Sequence, residues 1–175
     1  MTPNPSIRPL QASDRNRVRE FIMQRWGAAI VVAHRVVYYP HELPGFAAWR
    51  GDEIVGLVTL HVAENACEIV TIDSTWPGKG IGTALVEAAK TFARQAGCTR
   101  LWLITTNDNL SALRFYQKRG FVLVAVHRDA LEKSRQLKPQ IPLIGKDGIP
   151  LRDEIELEMV LAGEGSSRSP LEITG

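Results

Sequence analysis

The chain has 175 residues, 45% hydrophobic and 23% charged, with a formal net charge of +2. That length suits one domain with a real core, and the composition is that of a soluble globular protein. A net charge this small argues against a strongly electrostatic nucleic-acid binder, and no long apolar run could span a membrane.

Two cysteines, Cys67 and Cys98, lie outside any CxxC or metal-spaced histidine pattern. A reduced, cytoplasmic compartment and no metal site are therefore expected. The N-terminal M-T-P-N-P-S-I-R-P shows no apolar signal region. The chain reads as one domain over residues 1–162, followed by a flexible tail at 163–175.

In chain order, Ser6 to Gln11 reads as a first strand. Ser13 or Asp14 offers an N-cap for a first helix whose apolar face is Val18, Phe21 and Ile22, with Arg15, Arg17 and Arg19 on its wet side. From Gly27 to Gly45 the pattern is ambiguous: A-A-I-V-V-A fits a strand or a helix end, and Pro40, Pro44 and Gly45 mark a loop. F-A-A-W and I-V-G-L-V-T-L-H-V flank a Gly-Asp turn, and A-E-N-A then leads to C-E-I-V-T-I-D-S. Turn-linked strands at this spacing predict an antiparallel meander.

The third strand runs into W-P-G-K-G-I-G-T, and a helical pattern follows with Ile81, Leu85, Ala89, Phe92 and Ala96 on one face and Gly97 at its end. Glycines at 78, 80 and 82 let the chain turn tightly and let a ligand approach the main chain. The first amides of the helix lack intrahelical partners and suit a phosphate or pyrophosphate, although many structural corners are equally glycine-rich. No G-x-x-x-x-G-K-[ST] string is present, and the dinucleotide fingerprint fails because Thr83 stands at its third glycine.

T-R-L-W-L-I-T-T reads as a central strand apolar on both faces. Asn109 to Arg119 reads as a helix closed by Gly120, and F-V-L-V-A-V-H as a further strand. Residues 128–152 are irregular, helical at most in their first third. With three isoleucines and two leucines between Leu137 and Pro150, the stretch is expected to pack, and a loop this long is usually functional. E-I-E-L-E-M-V-L alternates as a last strand with Glu154, Glu156 and Glu158 on one side. Those carboxylates could draw a cationic amine, or protect an edge strand against aggregation.

Two motifs now stand in order. P-G-K-G-I-G resembles the Q/R-x-x-G-x-G/A motif of the GNAT superfamily of acetyl-CoA-dependent N-acetyltransferases, with Gly80 and Gly82 matching and Pro77 in place of Gln or Arg. Proline has no N–H, so the departure matters if that amide is needed. Asn109, Ala112, Phe115, Tyr116, Lys118, Gly120 and Phe121 resemble the family's N-x-x-A-x-x-F/Y-Y-x-K-x-G-F. The resemblance covers about Phe46 to His127 well and the rest by topology.

It implies a mixed α/β (α+β) GNAT fold. Its central sheet would be mostly antiparallel, of about six to seven strands, with helices on both faces and a splay between the two central parallel strands. It also implies acetyl transfer from acetyl-CoA to a primary amine by direct attack on the thioester. Main chain from Gly78, Lys79, Gly80, Ile81, Gly82 and Thr83 would hold the pyrophosphate. Val70, Thr71 and Ile72 would pair with the pantetheine arm, and Asn109 would hydrogen-bond it. Asn109 also reads as a plain N-cap.

By the same resemblance Tyr116 is the general acid; its other reading is a core tyrosine. Glu68, sharing a strand face with Val70 and Ile72, is the first candidate for the base, and Asp73 the second; Glu68 is equally read as an ordinary strand residue. Some family members carry a Glu where Ile104 and Thr105 stand here. His34, His61 and His127 read as structural or solvated, and Trp76 as core beside the loop. The acceptor, a small-molecule or peptide amine, would meet Trp26 to Phe46 and Arg128 to Arg152, and a homodimer is compatible with the family. A non-catalytic acyl-CoA-binding or interaction module on the same fold is the alternative, disfavoured by the presence of Tyr116.

Overall fold

The computed structural model describes residues 4–161, so the expected tail at 163–175 lies outside them. The meander forms as the turn signals require: β1 (Ser6–Pro9), β4 (Gly45–Arg50), β5 (Glu53–Ala63) and β6 (Ala66–Ser74) pair antiparallel in that order. β7 (Arg100–Thr106), β9 (Glu154–Val160) and β8 (Val122–His127) complete a seven-stranded sheet in the order β1-β4-β5-β6-β7-β9-β8. β6 and β7 are its parallel pair. The ambiguous stretch after α1 (Arg15–Trp26) resolves as a separate hairpin, β2 (Val31–Ala33) with β3 (Val36–Tyr38).

The sheet carries helices on both faces. α2 (Ile81–Gln95) and α3 (Leu110–Gln117) cover one, where Leu85, Val86 and Ala89 pack with Cys67, Ile69, Leu101, Leu103 and Leu157. On the other, Val18, Phe21 and Ile22 of α1 pack on Ala47, Trp49 and Leu57, and the β2–β3 hairpin packs Val31 and Tyr38 on Val70. Gly97 ends α2 region in the left-handed conformation, with φ of 75°. The irregular stretch contributes α4 (Ala130–Leu137) and then a connection that packs less than its composition suggests: Leu137, Leu143 and Ile144 are exposed, and burial resumes at Leu151.

One placement differs from expectation. β9 is interior, paired with β7 on one side and β8 on the other, so its glutamates do not guard an edge. Glu156 and Glu158 are instead held by Arg100, and Glu156 also by His127 at 2.8 Å. The edge is β8, whose place beyond β9 could not be read from chain order.

Candidate functional site

β6 and β7 are hydrogen-bonded only from Ala66–Glu68 to Arg100–Trp102. Beyond that register they part, while β7 stays paired to β9 through Thr106 and β6 to β5 through Ser74. The cause lies in β6. Thr59 opposes Thr71 and Leu60 opposes Ile69, so Val70 is an extra residue, a bulge that bends and twists its strand. Main chain of β6 past the bulge is thus left without a strand partner on the β7 side. The bulge also changes the faces: Val70 turns to the hairpin, whereas Ile69 and Ile72 pack on the α2 side. Glu68 therefore shares its face with Val70 but not, as alternation alone suggests, with Ile72.

The gap opens a cleft of about 920 Å³. Val70 and Ile72 lie along one wall and Ile104 and Thr105 along the other, with Pro77 and Gly82 at the glycine-rich end and Tyr116 beneath. Thr71 is buried against β5, where its hydroxyl meets that of Thr59 at 2.6 Å. In the turn, Gly78 and Gly80 hold φ of 76° and 75°, and a Cβ on either would meet no protein atom within 4 Å. Both glycines are thus required by conformation, and the space beside them is open. The first intrahelical bond is Ala84 N–H to Gly80 O at 3.0 Å, which leaves the amides of Ile81, Gly82 and Thr83 unpaired within the helix.

Ile81 supplies only main chain here, since its side chain is in the core against Gly56. Gly82 has a packing reason as well, because a Cβ would stand 3.1 Å from the Phe115 ring. Lys79 is exposed, and Thr83 Oγ1 accepts from Arg119 Nε at 3.0 Å and Nη2 at 2.6 Å. These residues could hold a pyrophosphate on main-chain donors and the helix N-terminus.

Tyr116, 5% exposed, is gripped edge-on by Phe115 and Phe121 at centroid distances of 5.1 and 5.3 Å. Burial pushes its phenol well above the ordinary value of 10. Asn109 begins α3, but its side chain does not cap it. Its Nδ2 donates to Thr105 Oγ1 at 3.3 Å, and its Oδ1 accepts from Ser111 Oγ at 3.1 Å and Lys146 Nζ at 3.0 Å. Lys146 brings the 138–153 connection to the cleft, pinned by its N–H to Asp108 at 2.8 Å.

Both carboxylates considered for the base are engaged. Asp73 accepts from Arg25 Nε at 2.9 Å, Arg25 Nη2 at 3.0 Å and Trp26 Nε1 at 3.2 Å. Glu68 is 2% exposed, so it is no ordinary surface residue; it accepts from Tyr38 OH at 2.7 Å and lies 2.9 and 3.1 Å from His34 Nε2. It cannot itself meet an acceptor arriving from solvent. His34, expected to be structural or solvated, is thus drawn to the splay. The available signal was the pair of β-branched runs V-V-A and V-V-Y around His34-Arg35. The His61 ring lies tilted against that of Tyr38 with centroids 5.4 Å apart, and Trp76 packs against the core with Arg50 over its ring. Among the described residues, no helix is long and apolar enough to cross a membrane.

Comparison with known proteins bears on the family and the fold. The model of the acetyltransferase (GNAT) family matches residues 13–121. The uncharacterized protein YxbD of Bacillus subtilis is 42% identical over 153 residues, 87% of this chain and 96% of that protein. An IAA acetyltransferase from Bacillus cereus superposes with a TM-score of 0.68 at 25% identity, over 90% of this chain and 99% of that one. A GNAT family acetyltransferase from Elizabethkingia anophelis, solved with acetyl-CoA bound, shares the fold with a TM-score of 0.66 at 20% identity, over 90% and 99% of the two chains.

Proposed function

Because the chain belongs to the acetyltransferase (GNAT) family and is an acetyl-CoA-dependent acyltransferase, we propose that it moves the acetyl group to a primary amine of a small molecule or peptide. The observation that carries this reading is the cleft itself, which runs from the glycine-rich turn along the unpaired side of β6 to Tyr116. Main-chain amides from Gly78 to Thr83 take the pyrophosphate. Val70, Thr71 and Ile72 give the pantetheine arm a strand edge to lie on, and Asn109 steadies it across the gap.

The amine nitrogen attacks the thioester carbonyl carbon. Negative charge grows on the carbonyl oxygen, where β6 amides can meet it; one such donor is typically worth about 100- to 1000-fold in rate. The C–S bond breaks with its electron pair on sulfur, and Tyr116 gives sulfur its proton. The raised phenol pKa keeps Tyr116 protonated at working pH, and its transfer to the less basic thiolate needs help from the site.

The experiment is free-thiol release with acetyl-CoA and a panel of primary amines, beside calorimetric titration with acetyl-CoA alone. Amine-dependent release is the expected result. Tight binding with no release for any amine would overturn transfer to amines, and no binding would overturn the placement of the cosubstrate.

A further inference from the structure

The residues at the closed end of the splay form a cluster that the cleft chemistry above does not use. Glu68 and Trp102 are the last paired register of β6 and β7, so their side chains mark the point from which the strands diverge. His34 sits there, its ring 5.2 Å from that of Trp102 and its Nε2 on the Glu68 carboxylate at 2.9 Å. Tyr38 donates to the same carboxylate at 2.7 Å.

His34 and Arg35 are the two central residues of the β2–β3 turn, with φ of 38° and 70°. A two-residue turn with both φ positive ordinarily takes Asn-Gly or Gly-Gly. Here two bulkier residues hold that conformation, and strained backbone of this kind persists only where the surroundings over-determine it. They do: the His34 N–H donates to the buried carboxylate of Glu154 at 3.2 Å, while its ring is tied to Glu68. Two buried carboxylates thus fix one histidine, Glu154 of β9 by its main-chain N–H and Glu68 of β6 by its ring, and the side chain keeps 28% of its surface in solvent.

We propose that His34 is the catalytic base of the acyl transfer, and that Glu68 is its positioning residue. This rests on the transfer reading above. With Nε2–H donated to Glu68, the lone pair sits on Nδ1, the orienting logic of a carboxylate–histidine pair. The arriving ammonium gives one proton to Nδ1, the freed amine attacks the thioester, and the proton leaves His34 to solvent. The second proton shed by nitrogen as the amide forms balances the one Tyr116 hands to sulfur. Glu68, Glu154 and Glu156 face His34 from β6 and β9, and Tyr38 from β3; Arg100 and His127 in turn hold Glu156. The hydrogen bond to Glu68 raises the imidazole above its ordinary 6.5, so the neutral base fills only above that pH.

The test uses the full chain, acetyl-CoA and two probe amines: ethanolamine, almost wholly protonated at neutral pH, and hydroxylamine, mostly neutral there. His34→Gly suits the left-handed turn, and its acetyl-CoA affinity and circular dichroism serve as the check on the fold. It is expected to lower kcat/KM for ethanolamine by about 100-fold or more, with acetyl-CoA affinity held within about twofold and hydroxylamine turnover reduced far less. Added imidazole restores part of the ethanolamine rate. Glu68→Gln shifts the acid limb of the pH profile to lower pH, which a merely structural contact would not do. Equal losses for both amines, or none for ethanolamine, overturn the assignment while leaving transfer intact. A wild-type enzyme that binds acetyl-CoA but acetylates neither of these amines nor any of the panel above overturns both.

Discussion

Replacing Tyr116 by Phe removes one oxygen and little else. The ring is 5% exposed and held between Phe115 and Phe121 by edge contacts at 5.1 and 5.3 Å, which a phenylalanine would keep. Among the described residues the hydroxyl has no hydrogen-bond partner, so folding stability should change by less than about 1 kcal/mol. A positioned proton donor contributes typically about 10²- to 10⁴-fold, or roughly 2.7–5.4 kcal/mol of the barrier. Thiol release under saturating acetyl-CoA should fall by that factor, and calorimetric affinity should not move. Burial raises the phenol above its ordinary 10, so the wild-type rate should show no alkaline loss from Tyr116 ionisation below about pH 10. A variant that turns over within threefold of wild type would remove Tyr116 from the chemistry and return it to the core.

Gly80→Val places a β-branched side chain at φ of 75°, where strain costs about 1–3 kcal/mol although its Cβ meets no protein atom within 4 Å. Acetyl-CoA affinity should drop by more than about tenfold, measured by calorimetry; unchanged affinity would show that the pyrophosphate lies elsewhere. Asp73→Asn should keep the acid limb of the pH–rate profile, since that carboxylate is tied to Arg25 and Trp26; loss of the limb would make Asp73 the base. Asp14, buried, accepts from Arg8 at 2.7 and 3.0 Å and from the Gln11 N–H at 2.8 Å, and the Arg8 hydrogen bond first of all lowers its pKa. A lowered folded pKa gives stability above the unfolded value that is lost as pH falls through the folded one. Denaturation of Asp14→Asn should show a loss of roughly 1.5–3 kcal/mol at neutral pH that closes below about pH 3.9; a gap that persists in acid would deny the ionic part.

The glycine-rich turn and the Asn109 motif were legible because both depend on short-range chemistry: positive φ at Gly78 and Gly80, and helical spacing up to Gly120. The meander was legible from its turns. What escaped reading depends on partners distant in the chain. The His34-Arg35 turn carries no glycine or asparagine, so its hairpin showed only as β-branched runs of uncertain type. The Val70 bulge leaves no compositional mark, yet it decides which face Ile72 takes and where the sheet opens. Glu68 and Glu154 look like ordinary alternating strand residues until β6, β9 and the hairpin bring them to one histidine, Glu68 to its ring and Glu154 to its main-chain N–H. β9 falls between β7 and β8, which strand order along the chain does not reveal.

The central claim is that acetyl-CoA lies in the cleft with its pyrophosphate on the turn at Gly78 to Thr83. Thermal unfolding with and without acetyl-CoA, on wild type and Gly80→Val side by side, tests it most directly. At 100 times its Kd a ligand adds about 2.7 kcal/mol, which for a chain of this size is roughly 5–10 °C in Tm. A shift of that order in wild type, lost in Gly80→Val, is the predicted result. No shift in wild type at millimolar acetyl-CoA, or an equal shift in both proteins, would contradict it.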